Sequence, residues 1–140
     1  MKQIPVIFWT GTGNTQMMAD AVAEAINAAG AEAVVKNVSE ITADEAAGYD
    51  ALALGCPAMG AEVLEECEFE PFFTELEGKL AGKKVALFGS YGWGGSYMQE
   101  WEARVKDAGA TLVADGVLAL GAPDDEAMAK LAEAGKLLAE

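Results

Sequence analysis

The chain has 140 residues, 52% of them hydrophobic, and carries nine basic against 23 acidic side chains for a net charge of −14. That length suits one compact domain over residues 1–140 with its own core, and the charge disfavours nucleic acid and anionic lipid while steering toward basic partners. The lack of histidine removes Ser-His catalysis and histidine ligation of metal or haem, and two cysteines, Cys56 and Cys67, are too few for a four-cysteine iron–sulfur cluster.

In chain order, Gln3 to Trp9 is a short apolar run ending in glycines and predicts the first strand. Apolar residues at Met17, Met18, Ala21, Val22, Ala25 and Ile26 predict a helix over Asn14–Ala29, with Gly30 as its stop. Glu32–Asn37 reads as the second strand. Thr42–Gly48 reads as a short helix capped by Thr42 or Ser39. Asp50–Gly55 is the third strand, followed by an irregular piece from Cys56 to Cys67.

A helix is expected over Glu68–Leu76, with Phe69, Phe72, Phe73 and Leu76 on one face. Lys83–Phe88 predicts the fourth strand and Gly89–Gly95 a glycine-rich loop. Tyr97, Trp101 and Val105, spaced by four, place a helix over Ser96–Ala108. Ala110–Leu120 holds a fifth strand broken at Asp115-Gly116, and Asp124–Ala139 the last helix, with Asp124, Asp125 and Glu126 at its positive end. No apolar run has the length of a membrane span, and the first residues lack the pattern of a secretory leader, so a soluble cytoplasmic chain without membrane partners is expected.

Strands alternating with helices imply an α/β fold, a parallel sheet covered on both faces. Ligands of such sheets sit beyond the carboxyl ends of the strands, which singles out residues 10–15, 56–67 and 89–95. In Thr10-Gly11-Thr12-Gly13-Asn14-Thr15 the helix amides and neutral side chains suit an anion. No Lys-Ser/Thr pair marks a nucleoside triphosphate loop, so a lone phosphate monoester is the better match. A capped turn with incidental threonines reads equally well from this loop alone. Met59 is either core filler or a thioether lying against a flat ring. Trp93, flanked by glycines, is either a buried anchor or a cover for something planar, whereas Trp9 and Trp101 fit core positions. With two cysteines and no histidine, redox chemistry requires an organic cofactor.

Together, "WTGTGNT", "GCPAMGAEVLEECEFEPF" and "GKKVALFGSYGWG" resemble the flavodoxins, specifically the short-chain kind of clostridia and related anaerobes, over nearly the whole chain. The resemblance implies a flavodoxin-like doubly wound five-stranded parallel sheet in the order 2-1-3-4-5. It implies FMN as a noncovalent cofactor, no metal and no catalytic residue. Thr10, Gly11, Thr12, Gly13, Asn14 and Thr15, with Ser90, would hold the phosphate. Pro57, Ala58, Met59, Gly60, Ala61 and Glu62, and Tyr91, Gly92, Trp93 and Gly94, would surround the ring, with Met59 and Trp93 on opposite faces and Glu62 near N3. The carbonyl at Gly60 would turn toward flavin N5.

A low-potential one-electron carrier is therefore expected, a monomer cycling mainly between neutral semiquinone and anionic hydroquinone and docking on redox proteins with basic surfaces. A small NAD(P)H or quinone reductase and an activator of a metalloenzyme are the alternatives. Pro57 stands where some relatives carry a phosphate-binding serine. Ala61 stands where a polar residue is frequent, and it favours a type II′ turn after Gly60.

Overall fold

The computed structural model describes residues 2–9, 13–57, 68–91, 97–120 and 122–140. Strand β1 (Gln3–Phe8) leads into helix α1 (Asn14–Ala28), β2 (Glu32–Asn37), a one-turn 3-10 helix (Val38–Glu40), α2 (Ala43–Ala46) and β3 (Ala51–Gly55). Then come α3 (Phe69–Glu77), β4 (Lys84–Tyr91), α4 (Tyr97–Asp107), β5 (Thr111–Leu112), β6 (Val117–Leu120) and α5 (Asp125–Ala139). The sheet runs β2-β1-β3-β4, with β5 and then β6 both paired to β4, and every pairing is parallel. This is the expected 2-1-3-4-5 order, its fifth strand split where Asp115-Gly116 interrupts it.

Side-chain alternation along the strands builds two cores. Ile4, Val6 and Phe8 of β1 and Ala86 and Phe88 of β4 face α1 and α5, which contribute Met18, Val22, Ile26, Leu131 and Leu138. Ile7 of β1 and Val85 and Leu87 of β4 face the other way, onto Phe69, Phe73, Leu76, Trp101 and Val105 of α3 and α4. Trp101 carries much of this second core, with the rings of Phe69 and Phe73 edge-on to it at 5.5 and 5.9 Å between centroids. Burying such a ring contributes about 2–3 kcal/mol. Thr42 caps α2 through a capping box with Glu45, and Asp124 accepts from the Ala127 amide at the start of α5.

Two readings from sequence are corrected. Trp9 is half-buried, packed against the margin of the second core rather than fully inside it, and its Nε1 donates to Glu68 Oε1 at 3.3 Å. The fourth strand does not end at Phe88, because Gly89, Ser90 and Tyr91 continue it and pair with Leu118, Ala119 and Leu120. Gly89 suggests a loop, but its missing side chain meets a packing need. A Cβ at Gly89 would run into the Tyr97 hydroxyl and the Cys56 carbonyl.

Candidate functional site

At the carboxyl edge of the sheet, Asn37, Phe8, Gly55, Phe88 and Val117 stand in one row across β2, β1, β3, β4 and β6. The strand order reverses between β1 and β3, so the chain leaves those two neighbours in opposite directions and opens a crevice there. β4 extends past the row by three residues and carries Ser90 over the ends of the shorter strands. Ser90 has the same parity as Ala86 and Phe88 and so points to the α1 face.

α1 starts beside it. Its cap residue, Gly13, has φ 92°, a left-handed conformation that disfavours any residue with a β-carbon. Gly13 has no side chain with which to cap the helix, and the first turn contains no acidic residue. Thr15, in that turn, is 1% exposed, and its Oγ1 lies 3.3 Å from Oγ of Ser90, itself 7% exposed. Among the described residues these are the two buried aliphatic side chains that carry a hydroxyl. Two buried hydroxyls beside the positive end of a helix form a neutral donor set for an oxyanion. The set fits a phosphate monoester, and the first turn, Asn14-Thr15-Gln16-Met17, adds no charge.

The loop after β3 is anchored at its first residue. The Cys56 amide donates to the Phe88 carbonyl at 3.1 Å, and the Cys56 carbonyl accepts from Tyr97 Oη at 2.7 Å. Burial, with a smaller contribution from Cys56, raises the Tyr97 pKa far above the usual phenol value, so Tyr97 stays a protonated donor. The buried Cys56 thiol leads to a half-buried Pro57. On the outer side, Arg104 of α4 spans two carboxylates of α3, at 2.7 Å to Glu70 and 3.1 Å to Glu77, and its guanidinium lies 4.7 Å from the Phe73 ring centroid. This clamp ties together the two helices that follow the second and third loops.

Of the residues expected at the site, Thr15 and Ser90 meet directly. Gly13 and Asn14 form the start of α1 next to them, and Pro57 follows the anchored Cys56. Tyr91 does not join that group, because alternation along β4 turns it to the α3–α4 face. Thr10, Gly11, Thr12, Ala58, Met59, Gly60, Ala61, Glu62, Gly92, Trp93 and Gly94 lie outside the described residues, as does Cys67. Tyr97 was missed as a site-supporting residue. Its spacing to Trp101 marks it as core, and nothing local shows that its hydroxyl reaches a carbonyl 41 positions away.

The Flavodoxin family model matches residues 6–135. A flavodoxin of Clostridium beijerinckii is 47% identical over 135 residues, covering 96% of this chain and 97% of that one. A flavodoxin of Megasphaera elsdenii is 47% identical over 116 residues, covering 82% of this chain and 85% of that one. Among solved structures, the solution structure of two-electron reduced Megasphaera elsdenii flavodoxin superposes with a TM-score of 0.90 at 43% identity, covering 97% of this chain and 98% of that one.

Proposed function

This chain belongs to the flavodoxin family and is an FMN-binding electron-transfer protein, and we propose that it is a low-potential one-electron carrier cycling mainly between the neutral semiquinone and the anionic hydroquinone of the flavin. The buried Thr15–Ser90 hydroxyl pair at the start of α1 carries the reading, because it is a donor set of the kind the FMN phosphate needs. Bound FMN supplies the redox chemistry, and the chain supplies anchorage, orientation and electrostatics.

In this reading Thr10, Gly11, Thr12, Gly13, Asn14 and Thr15, together with Ser90, hold the phosphate. Met59 and Trp93 cover the two faces of the ring, and Glu62 and the amides of Gly92 to Gly94 orient its pyrimidine edge. Gly60 offers its carbonyl at N5, in a turn that glycine adopts without a β-carbon clash. The acidic balance of −14 supports the low potential, since added negative charge is disfavoured near charge of the same sign. The same balance suits transient docking on basic redox proteins, and in this reading the protein acts as a monomer in the cytoplasm. One domain over residues 1–140 suffices for this role.

Stepwise anaerobic reduction of the FMN-loaded protein, followed by its visible spectrum, tests the reading. A stable blue neutral semiquinone at half reduction is expected, with a lower potential for the second electron than for the first. Direct two-electron bleaching by NADH, with no blue intermediate, contradicts it.

A further inference from the structure

β2 is an outer strand of the sheet, bonded to β1 alone, and none of its six residues is fully buried. In a parallel pair the residues of a strand alternate, one turning its amide and carbonyl to the neighbour and the next turning both away. The Glu32 amide donates to the Lys2 carbonyl at 2.7 Å, so Glu32, Val34 and Lys36 face β1. Ala33, Val35 and Asn37 therefore point their amides off the free edge. Side chains meet two of the three. Asn27, near the end of α1, accepts from the Ala33 amide through Oδ1 at 2.9 Å. Glu40 accepts from the Asn37 amide through Oε1 at 2.7 Å. The second bond belongs to the capping box of the 3-10 helix, so one carboxylate both starts that helix and covers the edge. Val35, 40% exposed, stands between them, and among the described residues no side chain accepts from its amide.

A bare strand edge is a template for another strand, and a second copy of β2 suits this one. Turned antiparallel about a two-fold axis at Val34, the copy sets its Lys36 opposite Glu32 and its Val35 opposite Ala33. The first pair is of opposite charge. The second is a pair that exchanges hydrogen bonds, and it needs the Ala33 amide that Asn27 holds. With the axis at Val35 instead, Ala33 pairs with Asn37, and both of those amides are held. We infer that Asn27 and Glu40 cover the free edge of β2 and keep it from pairing with a second copy of this chain. The net charge of −14 also separates two copies, but salt screens that repulsion and leaves the two side chains in place.

Amide exchange in the FMN-loaded protein tests the cover. After correction for intrinsic rates, the Ala33 and Asn37 amides should exchange about three- to tenfold more slowly than that of Val35. Asn27→Ala should release Ala33 alone, and Glu40→Ala should release Asn37. Asn27→Asp and Glu40→Gln, which keep an acceptor, should retain the protection. Sedimentation velocity at high salt tests the consequence. Wild type and the two conservative variants should stay monomeric. The double variant Asn27→Ala/Glu40→Ala should dimerise, its association constant at least tenfold above wild type, and adding Val35→Lys should return it to the monomer. An unchanged flavin spectrum verifies that each variant is folded and loaded. Wild-type Ala33 and Asn37 amides that exchange as fast as Val35 would overturn the cover. A double variant that loses protection yet sediments as the wild type does, or dimerisation that survives Val35→Lys, would overturn its role against self-pairing.

Discussion

The hydroxyls of Thr15 and Ser90, 75 positions apart in the chain, lie 3.3 Å apart where α1 begins and β4 extends past the end of β3. Each can turn its proton toward a bound oxyanion, and each is shielded from water. A hydrogen bond to a charged group contributes about 1.5–3 kcal/mol, so Thr15→Val and Ser90→Ala should each weaken FMN binding about 10- to 100-fold. Fluorescence titration of the apoprotein reads this directly. Riboflavin, which lacks the phosphate, should bind the variants and the wild type alike. A Kd for FMN that neither substitution moves would remove both residues from the phosphate site.

Tyr97 and Gly89 form one device, the hydroxyl filling the space that the glycine leaves and holding the Cys56 carbonyl. Tyr97→Phe leaves that buried carbonyl without this donor and should cost about 1–2 kcal/mol. Gly89→Ala must displace both the hydroxyl and the backbone of Cys56, and should cost more, about 2–4 kcal/mol. Urea unfolding of the apoprotein ranks the two, and equal midpoints would contradict the packing argument.

Arg104 holds Glu70 below its usual carboxyl pKa of 4.5, with desolvation opposing the effect and Thr74 adding to it. A carboxylate whose pKa is depressed by folding contributes stability that is full above its unfolded pKa and lost as pH falls through the folded one. Arg104→Met should therefore destabilise by about 1–2 kcal/mol at pH 7, the pair being partly exposed and screened. Much of that deficit should disappear at an acidic pH below the folded pKa of Glu70, where the carboxyl is protonated. The measurement is the difference in urea midpoint between wild type and variant at the two pH values. A difference that stays constant would assign the whole effect to the Arg104–Phe73 contact.

Gly60→Ala tests the proposed tuning at flavin N5. In the proposed reading a β-carbon would strain the turn that brings the Gly60 carbonyl to N5. The yield of blue semiquinone in a potentiometric titration should drop while FMN remains bound. An unchanged yield would mean that the turn forms without help from glycine.

The alternation of elements was written in local pattern, because apolar spacing and capping residues act over a few positions. Met18, Val22 and Ile26 pack as their spacing predicts, Thr42 caps with Glu45, and Asp115-Gly116 breaks the fifth strand. The three motifs likewise carried the family and, with it, FMN and the strand order. Local pattern misjudged Gly89 and Trp9, whose environments come from residues more than thirty positions away in Cys56 and Glu68.

The sequence by itself determined the α/β class, the acidic surface and the neutral chemistry of the first loop, since composition and short-range periodicity do not depend on how the chain is brought together. Only the tertiary structure decided that Thr15 meets Ser90 while Tyr91 turns away. It alone set Tyr97 against the Cys56 carbonyl. These are contacts between distant segments, fixed by sheet register and helix packing, and neither is encoded within one stretch of chain.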